Sequence, residues 1–180
     1  AQPLMCTAAL FKEPSILERL NDVEGTEYLF HDKDTNKPDL GKQSLQCGRR
    51  VDVLKLWLTW KYYGDNGYEK NIDHLFNMAK YAEVKVIKSK ILNLVSDVNY
   101  LNICFQIQPD GINMSQVESF TVAVRDELFK NADAMVNYAE IDGRICMRLV
   151  TANYDLSTTH IDQLFSDIES TAHKLLTNYI

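Results

Sequence analysis

The chain has 180 residues, 46% of them hydrophobic, enough to bury a sizeable core and too apolar for a disordered chain. A net charge of −6, with no basic cluster larger than Arg49-Arg50, argues against non-specific nucleic-acid binding, and no apolar run approaches the roughly 20 residues that cross a bilayer. The four cysteines (Cys6, Cys47, Cys104, Cys146) and four histidines (His31, His74, His160, His173) are scattered, so free thiols, a cytoplasmic setting and no metal site are expected.

In chain order, Met5 to Phe11 (MCTAALF) is apolar without polar alternation. That pattern suits a strand covered on both faces of a mainly parallel sheet. Pro14-Ser15 then opens a short helix through Leu20. A doubly covered strand needs neighbours on its edges, and nothing between Lys12 and Lys90 clearly supplies them. The first residue is also not methionine. The expectation is that an N-terminal part is missing and that this strand belongs to a larger sheet.

A long polar loop follows, with Tyr28 at its head and Leu45 near its end. It leads into a helix over Arg49–Tyr63, whose residues Val51, Val53, Leu54, Leu56, Trp57, Leu58 and Trp60 leave no polar face. Such a helix is expected between layers or in a subunit contact. Gly64 stops it. Asp65 or Asn66 caps a second helix from Tyr68 to about Lys88, with Ile72, Leu75, Phe76, Ala79, Ala82 and Val86 at helical spacing.

The remainder reads as a small domain. Ile91–Ser96 and Leu101–Ile107 have strand character. Ser115-x-x-Glu118 has the form of a capping box, ahead of a helix that buries Val117, Phe120, Val124 and Leu128. Met135–Ile141 and Arg144–Val150 flank Asp142-Gly143, a hairpin signal because both turn positions need positive φ. A last helix spans about Thr159 to Thr177. The order is ββαββα, an antiparallel sheet with helices stacked on one face.

Three places carry chemistry. Arg148 interrupts the apolar strand ICMRLV, and a guanidinium among apolar side chains needs an anion. A structural ion pair, a charge guarding an edge strand and a ligand clamp all satisfy that need. Tyr28 heads a loop long enough to be a lid, from which it could deliver a proton or simply anchor the loop. Gly48, just before Arg49-Arg50, would let backbone N–H groups approach an anion at a helix start. The helix dipole disfavours the two arginines there unless an acidic partner is near.

The stretch SLQCGRRVDVLKLWLTWK, with YLFHDKD before it, LNICFQI after it and MCTAALFK near the start, resembles the pyridoxal-phosphate-dependent decarboxylases of the glutamate and cysteine-sulfinate group. The resemblance implies an α/β fold of type I, with residues 1–88 ending the large cofactor domain and 89–180 forming the small one. It implies that pyridoxal 5′-phosphate is bound mainly by residues upstream of this chain, including the cofactor lysine just before Ala1. Tyr28 matches the loop tyrosine that protonates the substrate carbon after carbon dioxide leaves. Gly48 matches a glycine near the cofactor phosphate of the opposite subunit, with Arg49 in the same signature. Arg148 matches an arginine that clamps a substrate carboxylate. The implied partners are the upstream half, a second copy in a homodimer and a small amino acid.

The lid is shorter than in the animal glutamate enzymes, Cys146-Met147 replaces aromatic residues, and Asn137-Tyr138-Ala139-Glu140 departs from the family pattern. These differences sit on the substrate side and point away from strict glutamate specificity. The leading expectation is a decarboxylase of glutamate, aspartate or cysteine sulfinate. The alternatives are the same fold acting on another amino acid such as 2,4-diaminobutyrate, and a non-catalytic ligand-binding or assembly module.

Overall fold

The computed structural model describes residues 8–21, 51–177 and 179; Tyr28, Gly48 and Arg49 lie outside these residues. Residues 2–64 form one compact unit and residues 65–180 another.

In the first unit, α1 spans Ile16–Asn21 and buries no side chain. Ala8–Phe11 make no strand pairing, and Leu10 is 94% exposed. Of the strand expected over Met5–Phe11, only Ala8–Phe11 are described, and they pair with no described strand. A strand buried on both faces needs flanking strands, and the described sheet is assembled entirely from residues 92–150, so those residues do not supply them. α2 spans Asp52–Lys88 with a break at Gly64, whose φ of 64° and ψ of 179° are non-helical. Glycine adopts this conformation without the steric cost that a Cβ would impose, so the break falls where expected. On the first segment, Val51, Val53, Leu54, Trp57, Leu58 and Trp60 are all exposed in this chain. The apolar pattern thus leaves a face that the described residues do not cover.

In the second unit, the rest of α2 buries Tyr68, Leu75, Ala79, Ala82 and Val86, a stripe at helical spacing. β1 (Leu92–Leu94) is shorter than expected, and β2 covers Asn102–Ile107. A single 3₁₀ turn, Met114–Gln116, introduces α3 (Val117–Lys130). β3 (Asn137–Ile141) and β4 (Arg144–Val150) form the hairpin, and α4 covers Thr158–Leu176. The sheet order is β1-β2-β4-β3 and every pair is antiparallel. The ββαββα order is as expected.

At the hairpin turn Asp142 has φ 50° and Gly143 φ 75°, the left-handed pair that matches the twist of the flanking strands. The capping box differs from expectation. Gln116 Oε1 accepts from the Asn113 N–H at 3.2 Å, so the start signal is Asn113-x-x-Gln116, two residues before Ser115-x-x-Glu118. The 3₁₀ turn takes in Ser115, the residue expected as the cap. At α4, Ser157 Oγ accepts from the His160 N–H at 3.4 Å, and His160 Nδ1 accepts from the Ser157 N–H at 3.2 Å. Histidine here takes the place of the usual glutamate.

One continuous core joins the sheet to its helices. Ile103, Phe105 and Ile107 of β2 meet Phe120, Val124 and Leu128 of α3, and Ile161, Phe165 and Ile168 of α4. The Phe105 and Phe165 rings lie 5.7 Å apart in a tilted arrangement. Thr121 is fully buried, yet its Oγ1 accepts from the Ile107 N–H at 3.0 Å and donates to the Val117 carbonyl at 2.8 Å. Both of its bonding needs are met, which removes the penalty of a buried hydroxyl.

Candidate functional site

Strand alternation divides the sheet into two unlike faces. Ile103, Phe105, Met147 and Leu149 point toward the helices and enter the core. The opposite parity carries Asn102, Cys104 and Gln106 on β2 and Arg144, Cys146 and Arg148 on β4. On β3 it carries Asn137, Ala139 and Ile141.

Arg148 stands in the middle of this second face. It is opposite Cys104 on one side and Asn137 on the other. Its side chain is exposed, so the expectation of a guanidinium buried among apolar groups is corrected. Alternation is the reason: the apolar neighbours Met147 and Leu149 point the other way. One of its three readings falls. β4 is an inner strand, flanked by β2 and β3, so Arg148 guards no edge. Among the described residues no carboxylate pairs with it; the ion pairs there involve Arg19, Lys55, Lys85, Arg125 and Lys130. Arg144, four residues back on the same face, differs: its Nη2 donates to the Val95 carbonyl at 2.8 Å.

The floor beside Arg148 is dry. Val95, Cys104 and Cys146 form a small buried cluster with Ala139 and Ile141 packed against it. The Cys146 thiol lies 3.4 Å from the Ala139 carbonyl oxygen. Burial first, and the neighbouring Cys104 second, push the Cys146 thiol up to about 11. It is a neutral thiol at physiological pH and no nucleophile. The Gln106 Nε2 donates to the Ile145 carbonyl at 2.8 Å, which ties β2 to β4 beside the cluster.

The polar atoms of this face are unbalanced. Along the paired strands it carries the amides Asn93, Asn102, Gln106 and Asn137, the cations Arg144 and Arg148, and no carboxylate. The sequence reading found Arg148 and missed the amides around it. Their signal was present: Asn102 and Gln106 keep one parity around Cys104 in LNICFQI. Tyr28, Gly48 and Arg49 lie outside the described residues, so only Arg148 of the expected site has a described position.

The class of protein follows from comparison with known families. Residues 2–108 match the pyridoxal-dependent decarboxylase conserved domain, and the chain belongs to that family. Its fold is that of the pyridoxal-phosphate-dependent decarboxylases of fold type I. More particularly, the chain is 32% identical over 180 residues to the cysteine sulfinic acid decarboxylase of Homo sapiens, covering 94% of this chain and 36% of that protein. It is 38% identical over 112 residues to an L-aspartate decarboxylase of Metarhizium robertsii, covering 61% of this chain and 22% of that one. The crystal structure of mouse CSAD in apo form superposes with a TM-score of 0.74 at 27% identity, covering 89% of this chain and 34% of the other. The chain thus spans about a third of the length of the curated relatives it matches.

Proposed function

We propose that this chain is the C-terminal part of a pyridoxal-phosphate-dependent decarboxylase that releases carbon dioxide from a small acidic L-amino acid. One observation carries the reading: Arg148 is an exposed guanidinium on an inner strand, in a family of decarboxylases, with no carboxylate partner among the described residues. A planar fork of donors fits a carboxylate bidentately, and a sulfinate offers the same pair of oxygens. The names of the relatives, cysteine sulfinic acid and L-aspartate decarboxylase, support an acidic substrate.

In this reading Arg148 holds a substrate anion and so fixes the direction in which the rest of the amino acid points. The dry cluster of Val95, Cys104 and Cys146 keeps water from one side of that contact, which strengthens it. Tyr28, at the head of the polar loop, protonates the substrate carbon once carbon dioxide has left. Gly48 and Arg49 would help to hold the cofactor phosphate of the opposite subunit. When bound, pyridoxal phosphate supplies the electron sink for the decarboxylation. The donor set of Arg148 fits an anion, while most contacts to the cofactor would come from outside this chain. The large domain would end near residue 88 and the small domain cover 89–180. A cytoplasmic homodimer fits the exposed apolar segment of α2, and no described helix is long and apolar enough to cross a membrane.

Carbon dioxide release by the full-length holoenzyme, measured on cysteine sulfinate, aspartate, glutamate, 2,4-diaminobutyrate and tryptophan, tests the proposal. Turnover of one or more of the first three, well above the others, is expected. Preference for 2,4-diaminobutyrate would contradict it, since that substrate brings a second ammonium into a site read as cationic.

A further inference from the structure

We infer that Asn137 is a second anion-reading residue, which completes with Arg148 a two-sided donor set for the substrate's acidic group. The inference rests on the assignment of Arg148 above and extends it to a residue that the family resemblance does not supply.

The register places Asn137 directly across from Arg148. Side chains so paired in an antiparallel ladder have Cβ atoms about 5 Å apart and interact. What Asn137 offers there is set by the backbone of the next residue. Its Oδ1 accepts from the Tyr138 N–H at 3.0 Å. An N–H donor faces only an oxygen, so the amide is oriented: one lone pair of Oδ1 is engaged by the backbone and the Nδ2 group is left to present its donors. The remaining Nδ2 group carries two donors and no acceptor. Arg148 likewise has donors only. A donor-only guanidinium and an amide NH₂ group therefore stand at paired positions on a face whose strand positions carry no carboxylate to satisfy them.

The neighbouring groups leave this pair to a ligand. Arg144 is tied to the Val95 carbonyl, and Gln106 to the Ile145 carbonyl. Glu140 belongs to the opposite parity of β3, with Tyr138, whose ring lies 5.8 Å from the Arg125 guanidinium on α3. The guanidinium fork fixes the plane of an incoming carboxylate or sulfinate, and the amide donates to one of its oxygens from the side. A neutral side chain in the same place would leave those donors without acceptors, so Asn137 serves discrimination as well as affinity.

The test uses the full-length holoenzyme and two variants, Asn137→Asp and Arg148→Ala. Asn137→Asp keeps the shape and converts the donor into a negative acceptor beside the guanidinium. Binding of glutarate, a dicarboxylate with no amino group, is measured by calorimetry, together with KM and kcat for the acidic amino acid substrate. With a hydrogen bond to a charged group lost, Asn137→Asp is expected to weaken glutarate and raise KM by about tenfold or more, with kcat changed far less and Tm unchanged. Asn137→Ser, which restores a donor, is expected to recover part of the loss. Wild-type glutarate affinity and KM in Asn137→Asp, with Arg148→Ala impaired, would overturn the role of Asn137 alone. No effect in either variant would overturn the Arg148 assignment, and this inference with it.

Discussion

Arg148 and Cys146 sit two residues apart on the same face and do opposite things. Alternation and pairing on both sides bury the small thiol completely, whereas the longer guanidinium reaches solvent from the same parity. Burial then keeps Cys146 protonated, with its pKa pushed up to about 11. Cys104 is 5% exposed and Cys146 fully covered. Both are expected to resist iodoacetamide in the native protein at pH 7.5 and to react fully once it is unfolded, as peptide mass spectrometry would read. Rapid native labelling of Cys146 would show that the floor of the site opens. Oxidative control at this face is correspondingly disfavoured, because a thiol that does not ionise is a slow nucleophile.

At the scale of elements, the β3–β4 hairpin positions Asn137 against Arg148, and its turn fixes that register. A slip of one residue would send Arg148 to the helix side and Met147 to the open face. Gly143 holds φ 75° with nothing within 4 Å of where a Cβ would sit. The cost of Gly143→Val is therefore conformational and not steric crowding, about 1–2 kcal/mol, to be read by chemical denaturation. An unchanged midpoint would mean that the turn relaxes without penalty. This hairpin was legible in the sequence because Asp-Gly between apolar runs has few other solutions. The helical stripes of α3 and α4 were legible for a related reason, since Phe120, Val124 and Leu128, and Ile161, Phe165 and Ile168, repeat at one period only. Exposure of Arg148 was not legible. Its parity was readable, but which face of the sheet the helices would cover is decided by α3 and α4 packing on Phe105 and Met147. The caps were ambiguous too. Asn113 and Ser115 are both good starters, and the 3₁₀ turn selected the first; His160 at the third position of α4 is not a residue that the usual box predicts.

At the scale of the second unit as a whole, α2 and α4 are joined at their exposed edges. Lys85 Nζ lies 2.5 Å from Asp162 Oδ1, and the Tyr81 hydroxyl donates to the same carboxylate at 2.8 Å. Farther along, the Ser89 hydroxyl donates to Glu169 Oε1 at 2.6 Å. The hydrogen bond from Lys85, and then that from Tyr81, hold Asp162 below its usual pKa; the bond to Asp162 holds Lys85 above its own. The signs follow from linkage. A depressed carboxylate stabilises the fold above its unfolded pKa, and that contribution is lost as pH falls through the lowered value. A raised lysine stabilises it below its unfolded pKa and stops doing so as pH rises through the raised value. Asp162→Asn is therefore expected to lower Tm at pH 7, with the difference from wild type closing as pH falls below the ordinary carboxylate range, about 4. A difference independent of pH would assign the loss to packing. The pair is exposed, so its effect is small beside the core that α2, α3 and α4 share with the sheet.

The first segment of α2 sets the limit of what this chain displays by itself. Leu54, Trp57, Leu58 and Trp60 were read as buried, between layers or in a subunit contact, and in the structure they are exposed. The pattern was legible; its coverage was not, because burial depends on what packs against a helix and not on its own periodicity.

The most direct measurement is the steady-state kinetics of Arg148→Ala and Arg148→Lys in the full-length holoenzyme, with the acidic amino acid it turns over fastest. Loss of a charge-assisted bidentate contact should lower kcat/KM by about 100-fold or more in Arg148→Ala, mostly through KM. Arg148→Lys, which keeps the charge without the fork, should recover only part of it. Wild-type kcat and KM in Arg148→Ala would contradict the assignment of this arginine to the substrate.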